Sequence, residues 1–358
     1  MIWIDAGEST ALPRRLGILA YTARLVQYRY AQPPPGGFFV PAMPAAVSFQ
    51  SVSKTYATPA GPFQALRDIH LEVREGEFLG LLGPNGAGKT SLIGILGGLV
   101  RPSAGTVRVQ GFDVQREPAQ TRQRLGIVPQ ELVFDPFFSV RETLRFQSGY
   151  FGIRHNDDWI DSLLHHLGLT DKANANMRQL SGGMKRRVMV AQALVHKPPV
   201  IVLDEPTAGV DVELRQMLWH FIEQLNREGH TVLLTTHYLE EAEALCQRIA
   251  MLRGGRLIAL EETGDLLARL SQSVLQFKTQ QALPPALAAR ARVTGRTVQI
   301  PTGQPQGSAQ AVEEILNQLR QAGVQIEEME IRRAHLEDVF ITLMQQERQD
   351  QAAPAAQG

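Results

Sequence analysis

The chain has 358 residues, 44% of them hydrophobic, which is enough for one large folded core and a smaller one. Lysine plus arginine number 36 and aspartate plus glutamate number 36, which excludes the overall positive field typical of nucleic-acid-binding proteins. The single cysteine, Cys246, excludes an internal disulfide and a cysteine metal cluster, as is typical of a reducing compartment. No stretch reaches the roughly 18–20 uninterrupted apolar residues of a membrane span, so we expect a cytoplasmic chain that would need another polypeptide to cross a bilayer.

The first 45 residues differ from the rest of the chain. They include the Pro- and Gly-rich stretch AQPPPGGFFVPAMPAA and show no sustained hydrophobic period, so we expect a flexible extension over residues 1–45. Met43 stands directly before the first predicted strand. One hypothesis is therefore that translation begins at Met43, which a measurement of the intact mass of the native protein would decide.

Predicted strands and helices alternate from residue 46 to residue 270. Strands are predicted in VSFQSVSKTY, LRDIHLEVREGEFLGLLG and GTVRVQG, and a helix in KTSLIGILGGL. The segments VIVLDEP and TVLLTTH are largely apolar, as parallel strands covered on both faces are, and VELRQMLWHFIEQLNREG between them predicts a helix. Residues 139–196 are mostly helical in pattern. We therefore expect an α/β domain over 46–270, interrupted by a helical subdomain over about 131–196.

The hydrophobic pattern changes again after residue 270. VLQFKTQ, RTVQIPTG and VQIEEMEI predict strands, and AQAVEEILNQLRQAG predicts an amphipathic helix because Val312, Ile315, Leu316 and Leu319 recur at helical spacing. HLEDVFITLMQQE predicts a closing helix. We expect a small α+β appendage over 271–345 and a disordered tail over 346–358.

A glycine-rich motif carries the first indication of function. Residues 83–90 read GPNGAGKT and match G-x-x-x-x-G-K-T between a predicted strand and a predicted helix, the context in which this motif cradles phosphate. The glycines allow backbone N–H groups to surround an anion, and the helix beginning near Gly88 adds its partial positive charge. Lys89 would neutralise the outer phosphates, and Thr90 would offer its hydroxyl to Mg²⁺. The residues expected to bind nucleotide here are Gly83, Pro84, Asn85, Gly86, Ala87, Gly88, Lys89, Thr90 and Ser91.

Two acidic residues end the apolar strand VIVLDEP. Asp204 and Glu205 would lie at the carboxyl end of a parallel strand, where such sheets bind ligands. Asp204 could hold Mg²⁺, usually through water, and Glu205 could accept a proton from an attacking water. The alternative is that the pair caps the following helix; a phosphate-binding loop in the same chain favours the metal site.

The segment LSGGM, residues 180–184, is a third motif, and the three motifs together resemble those of a known family. Together with the two preceding motifs it makes residues from about Val47 to Leu270 resemble the nucleotide-binding subunit of ATP-binding-cassette (ABC) transporters. It is similar to the family signature LSGGQ and departs from it at Met184. From the residues themselves, Ser181 and the N–H groups of Gly182 and Gly183 at a helix N-terminus could bind an anion or simply cap the helix.

The resemblance implies roles for further residues. Tyr56 resembles the aromatic residue that stacks on adenine, and Gln130 the glutamine that touches Mg²⁺ and the attacking water. Asp211 resembles the aspartate that crosses the dimer interface, and His237 the histidine that contacts the γ-phosphate. Within the resemblance, the catalytic residues would be Glu205, His237, Gln130 and Lys89, and the metal ligands Thr90, Gln130 and Asp204.

The resemblance is closest to one subclass. LSGGMKRRVMVAQAL, DEPTAGVDVELRQMLW, TTHYLEEAEALC and the ending HLEDVFITLM resemble ABC-2 exporters of the drug-resistance and nodulation type. This implies a homodimer that ATP and Mg²⁺ close with each signature over the other subunit's γ-phosphate, and that opens after hydrolysis. Helical segments near 131–152 would pass the motion to an integral membrane permease of about six spans, which would hold the dimer at the inner face of the membrane. No nucleic acid or solute-binding protein is expected.

Two other functions stay open. One is a soluble ABC ATPase that is not tied to transport, although the single phosphate-binding loop and the short spacing from loop to signature disfavour it. The other is a nucleotide sensor that does not hydrolyse ATP, which the presence of Glu205 and His237 disfavours. Measuring ATP hydrolysis with and without Glu205→Gln separates them.

Overall fold

The structure is a computed structural model, and it describes residues 45–207, 209–270, 274–302, 308–332, 335–337, 339–340 and 343. The expectations for the flexible extension, for a start at Met43 and for the tail over 346–358 fall outside the described residues. In the part that is described, no helix is both long enough and apolar enough to span a bilayer.

The secondary structure alternates along the chain much as the sequence predicts. In chain order the strands are β1 Ala45–Thr58, β2 Gly61–Arg74, β3 Phe78–Leu82, β4 Ala104–Val109, β5 Phe112–Asp113, β6 Leu125–Val128, β7 Val200–Asp204, β8 Thr231–Thr235, β9 Arg248–Arg253, β10 Arg256–Glu262, β11 Val274–Lys278, β12 Arg292–Thr294, β13 Thr297–Pro301 and β14 Met329–Arg332. The helices are α1 Lys89–Leu96, α2 Pro118–Arg124, α3 Val140–Tyr150, α4 Asp157–His166, α5 Gly182–Leu194, α6 Val212–Arg227, α7 Leu239–Leu245, α8 Thr263–Leu270, α9 Pro285–Ala288 and α10 Ser308–Gln321.

A six-stranded sheet forms the centre of the fold, with the order β10-β9-β3-β8-β7-β6. The five strands from β9 to β6 are parallel, and β10 joins the edge as an antiparallel strand. Every residue of β3, β7 and β8 is buried, as expected for parallel strands that are covered on both faces. Because β3, β7 and β8 are neighbours and parallel, the loops that follow them meet at one edge of the sheet.

Two hydrophobic clusters cover the two faces of this sheet. Side chains alternate along each strand, so Val200 and Val202 of β7 belong to one cluster and Ile201 and Leu203 to the other. The first cluster joins α1 to a second, antiparallel sheet of order β2-β1-β4-β5. The second joins the helices α3 to α6. The observed layers agree with the predicted α/β core and helical insertion.

The first helix of the helical region, α3, starts at Val140, as the pattern over 139–196 predicts. Residues 131–139 are not helical, and a subdomain that begins near residue 131 stays a prediction. Pro136 disfavours helical geometry in the residue before it. Ser139 then caps α3 in a capping box, since its hydroxyl accepts from the Glu142 N–H and its own N–H donates to Glu142 Oε2 at 2.8 Å.

A third sheet, of order β12-β13-β11-β14, lies after residue 270 and is antiparallel throughout. It packs with α9 and α10 around a separate small core that includes Phe277 and Ile315. The strand predicted over 324–331 is shorter than expected, because residues 324–328 are irregular and β14 begins at Met329. Leu336 and Val339, from the predicted closing helix, are fully buried against the large core and not the small one. A separate domain over 271–345 remains a prediction.

Candidate functional site

The loop between β3 and α1 has a backbone that glycine makes possible. Gly88, directly before α1, has φ +110°, and a Cβ there would lie 2.7 Å from Leu66 Cδ2 and 2.8 Å from the Ala65 carbonyl oxygen. Gly86 has φ +78°, and a Cβ there would have nothing within 4 Å. Other residues rarely adopt such angles. The loop therefore turns back over the N-terminus of α1 and leaves its N–H groups beside an open cleft.

Lys89, the first residue of α1, reaches back across this loop. Its Nζ donates to the carbonyl oxygens of Gly83 at 2.5 Å and Pro84 at 3.3 Å. Burial lowers the pKa of Lys89, and the negative charges of Glu205 and Asp204 act in the opposite direction. The ammonium is thus held between the loop and two carboxylates, beside the cleft.

Asp204 occupies the carboxyl end of β7, where its register partner is Thr235 of β8. The carboxyl group is almost fully buried, and the Thr235 hydroxyl donates to Asp204 Oδ1. Burial raises the pKa of Asp204 and neighbouring Glu205 adds to the rise, whereas the hydroxyl of Thr235 and the charges of Lys89 and Arg186 oppose it. A buried carboxyl group that is costly to ionise is what a cation would stabilise.

Glu205 follows Asp204 with an unusual backbone angle, φ +50°. Its N–H donates to the Thr235 carbonyl oxygen at 3.0 Å, so the neighbouring strand holds this conformation. Its Oε2 accepts a hydrogen bond of 3.0 Å from Gln130 Nε2 and lies 3.7 Å from His237 Nδ1. The structure therefore brings together three of the expected catalytic residues, which come from three separate loops, around one carboxylate oxygen.

Sequence reasoning missed the residue that holds Gln130 in place. Arg186 on α5 is 5% exposed, and its guanidinium donates to the carbonyl oxygens of Pro129 and Gln130, both at 2.5 Å. Burial lowers the pKa of Arg186, and Asp204 and Glu205 oppose that change. The available signal was the pair of arginines directly before the apolar run VMVA in a predicted helix.

The cleft above the loop has a volume of about 170 Å³. It is lined by Phe63, Ala65, Asn85, Gly86, Ala87, Gly88, Lys89, Thr90, Ser91, Gln130, Asp204 and Glu205. Phe63 was not predicted; it is 55% exposed and is the cross-strand partner of Tyr56. Tyr56 lies beside the cleft, with its hydroxyl oxygen 3.2 Å from Ser91 Oγ and the Lys54 ammonium 4.7 Å from its ring centroid. An aromatic surface thus adjoins the loop.

The oxygen donors in the cleft fit Mg²⁺. Asp204 offers a carboxylate, Thr90 a hydroxyl and Gln130 an amide carbonyl, since the amide nitrogen of Gln130 is the atom bonded to Glu205. Such hard oxygen ligands suit an ion that retains several waters. Among the residues that the structure describes, no group of three or more His, Cys, Asp or Glu side chains could hold a metal ion.

The signature segment lies elsewhere, at the N-terminus of α5. Ser181 caps the helix, because its Oγ accepts from the Met184 N–H at 3.2 Å. A Cβ on Gly182 would have nothing within 4 Å, and one on Gly183 would only reach the Gly209 carbonyl oxygen at 3.8 Å. Neither glycine is needed to fit this segment into its own chain, and none of the three residues is among those that line the cleft.

Asp211 and His237 stand at exposed ends of their elements. Asp211 caps α6 by accepting the Leu214 N–H at 3.0 Å. The His237 side chain is 51% exposed, and its ring lies 4.0 Å from that of Tyr238, measured between centroids. Both side chains are therefore exposed to solvent.

Comparisons with known proteins show the family to which the chain belongs. Residues 66–208 match the model of the ABC transporter family. Nod factor export ATP-binding protein I of Cupriavidus pinatubonensis is 37% identical over 325 residues, which cover 88% of this chain and 96% of that protein. The chain belongs to the ABC transporter family. Linearmycin resistance ATP-binding protein LnrL of Bacillus subtilis is 38% identical over 223 residues, covering 62% of this chain and 70% of that protein.

Solved structures of this family share the fold. The dimeric structure of MJ0796, a bacterial ABC transporter cassette, has a TM-score of 0.57 and 28% identity, and covers 61% of this chain and 98% of that one. A dimeric post-hydrolysis state of MJ0796 bound to ADP and Pi has a TM-score of 0.56 and 29% identity, with the same coverage. The predicted fold class and the resemblance to ABC ATPases of the drug-resistance and nodulation type are confirmed, and the chain is an ATP-binding subunit with ATPase activity.

Proposed function

We propose that this chain hydrolyses ATP in a site formed by two copies of itself, and that it thereby powers an exporter whose membrane spans another protein supplies. One observation carries the proposal. Lys89, Asp204 and Glu205 converge at one edge of the central sheet, with Gln130 and His237 directed at the Glu205 carboxylate. Family membership supports the ATPase activity, and the names of the relatives, Nod factor export and linearmycin resistance, support export.

The chain's residues would divide the work of binding. The N–H groups of the loop over 83–91 surround the phosphates, and Lys89 exchanges the Gly83 and Pro84 carbonyl oxygens for outer phosphate oxygens. Thr90, Asp204 and Gln130 would hold Mg²⁺, which supplies positive charge against the phosphate oxygens. Tyr56 offers a stacking surface for the base, worth about 1–3 kcal/mol in related sites.

Hydrolysis would depend on Glu205. Its carboxylate accepts a proton from a water whose oxygen attacks the γ-phosphorus, while the bond between that phosphorus and the bridging oxygen of ADP breaks. Gln130 donates to the same carboxylate at 3.0 Å and so fixes its orientation. His237 lies 3.7 Å from the same carboxylate and would contact the γ-phosphate. The strained backbone of Glu205 serves to aim this side chain.

The second copy would supply Ser181, Gly182 and Gly183. The open space around both glycines supports this role, because another molecule can approach their N–H groups closely. Asp211, exposed at the start of α6, would cross the same interface. The relative MJ0796 is a dimer in its solved structures. We propose the same arrangement here, on a permease of about six spans per chain at the inner face of the membrane.

Substitution of Glu205 by Gln tests the function. We expect ATP affinity to be retained and turnover to fall by roughly 10²–10⁴-fold, the usual contribution of a general base. Glu223→Gln, in a surface ion pair on α6, is the matched control and should leave turnover unchanged. Light scattering of the ATP-loaded Glu205→Gln protein should give a dimer.

Three outcomes would contradict the proposal. A wild-type protein that binds ATP but never hydrolyses it, even with its membrane partner, would be a nucleotide sensor. A Glu205→Gln protein that stays monomeric with ATP at high concentration would exclude the shared site. Purification from membranes without any co-purifying integral protein would favour a soluble ABC ATPase.

A further inference from the structure

Glu241 is a buried carboxylate that the function described above does not use. It lies on α7, four residues after His237, and is 8% exposed. The segment LEEAE contains three glutamates, but only Glu241 among them is buried. A buried carboxylate is costly unless donors satisfy it, so its partners show what holds it there.

Three hydrogen-bond donors and one arginine cation, from three separate segments of the chain, surround this carboxylate. The Thr207 hydroxyl lies 3.0 Å from Oε1 and 3.3 Å from Oε2, and the Thr236 hydroxyl donates to Oε2 at 2.7 Å. The Trp219 indole N–H donates to Oε1 at 3.3 Å. The Arg215 guanidinium lies 3.6 Å from the same oxygen, as an ion pair.

These donors sit beside the residues of the catalytic site. Thr207 is two residues after Glu205, on the segment that leads to Asp211. Thr236 directly precedes His237, and its hydroxyl oxygen also accepts the N–H of Tyr238 at 3.0 Å. One carboxylate thus ties the segment after β7 to the segment after β8.

Arg215 strengthens the same connection from α6. Its guanidinium lies 4.3 Å from the centroid of the Tyr238 ring and donates to the Val210 carbonyl oxygen at 3.4 Å. Val210 directly precedes Asp211, which caps α6. Movement of either segment would break hydrogen bonds to a buried carboxylate. The loss of stabilisation is large because the buried group cannot form hydrogen bonds with water instead.

We propose that Glu241 is a positioning residue that makes the segment carrying Asp211 and the segment carrying His237 move as one unit. This inference rests on the proposed function, since it gives Glu241 no contact with nucleotide. It acts through His237, which it holds beside the Glu205 carboxylate, and through Asp211 at the expected subunit interface. Binding of ATP to the loop over 83–91 does not require it.

A matched pair of variants separates positioning from simple stabilisation. Glu77 is a second buried glutamate; it accepts the Arg74 N–H at 2.6 Å and the Arg248 guanidinium at 2.9 Å, on elements away from the cleft. For Glu241→Gln we expect kcat to fall at least about tenfold while the Kd for ATP changes less than about threefold. For Glu77→Gln we expect both to stay within about threefold. Equal kcat in the two variants would overturn the proposal.

The fluorescence emission of Trp219 gives a second measurement that is independent of ATPase activity. The chain has three tryptophans, so Trp3→Phe together with Trp159→Phe leaves Trp219 as the emitter. With ATP and Mg²⁺ we expect its emission to change in this background and with Glu77→Gln, and to lose at least half of that change with Glu241→Gln. A background that does not respond, or a Glu241→Gln protein that keeps the response, would overturn the proposal. A wild type without ATP hydrolysis would refute the proposed function, and Trp219 would still decide this inference.

A double-mutant cycle decides the case if Glu241→Gln does not fold. Thr207→Val and Thr236→Val each remove one hydroxyl at nearly constant volume, from the two different segments. If Glu241 couples the segments, the double variant should lose no more kcat than the more severe single variant. If the fold-losses in kcat of the two single variants multiply in the double variant, the segments act independently and the proposal is overturned.

Discussion

Replacement of Lys89 by Ala removes an ammonium that is bonded to the phosphate-binding loop. Charge-assisted hydrogen bonds contribute about 1.5–3 kcal/mol each, which corresponds to a Kd about 10–150-fold weaker. Lys89 already donates to Gly83 and Pro84, so binding exchanges these two bonds for phosphate contacts and does not add new ones. We therefore expect the lower half of that range, roughly 10–40-fold, for ATP with Mg²⁺.

A comparison of ATP with AMP tests whether Lys89 contacts the outer phosphates. Because Lys89 reaches the outer phosphates, AMP should bind the variant and the wild type within about threefold of each other. Titration calorimetry with ATP and with AMP measures both values. Lys278→Ala, which removes a lysine paired with Glu328 in the third sheet, is the control and should leave both affinities unchanged. An unchanged Kd for ATP, or an equal loss for AMP, would refute the assigned position of Lys89.

Three further predictions concern stability, measured by urea unfolding. Gly86→Ala should lower the free energy of unfolding by about 1–2 kcal/mol because of its left-handed backbone alone. Gly88→Ala should lower it by about 1–3 kcal/mol more, because the added Cβ would meet Leu66 and Ala65. Equal losses in the two variants would contradict this reasoning. Leu336→Ala should cost about 2–5 kcal/mol because this side chain is fully buried in the large core, and the 86% exposed Leu99 should tolerate Ala within about 0.5 kcal/mol. Asp204→Asn should stabilise the nucleotide-free protein at neutral pH, and a less stable variant there would contradict the assigned burial cost.

The pH dependence of the last prediction follows from the raised pKa of Asp204. Between the ordinary pKa and the raised one, the folded chain holds a proton that the unfolded chain has released, so rising pH lowers the free energy of unfolding. Above the raised pKa the full cost of burying the charge is present. The advantage of Asp204→Asn should therefore grow as pH rises from the ordinary pKa of aspartate to the raised one, and disappear below the ordinary pKa. An advantage that does not vary with pH would show another cause.

The sequence by itself determined the parts of this protein that depend on neighbouring residues. The spacing of glycines and Lys89 defined the phosphate-binding loop, because the loop is built from consecutive backbone groups. Apolar runs that end in Asp204 and in His237 predicted buried strands and polar residues at their ends. The helical spacing after residue 308 predicted α10. Each of these features lies within a short window of sequence.

Only the tertiary structure decided which distant residues meet. Strand order places β8 between β3 and β7, and this puts Thr235 against Asp204 and holds Glu205 in its left-handed conformation. The tertiary structure also brings Arg186 within hydrogen-bond distance of the Gln130 carbonyl oxygen. It brings hydrogen-bond donors from three segments to the Glu241 carboxylate. Hydrophobic periodicity shows that a strand or helix face is buried, but not which element covers it. The physical reason is that burial is satisfied by any apolar neighbour, whereas a buried charge requires particular partners.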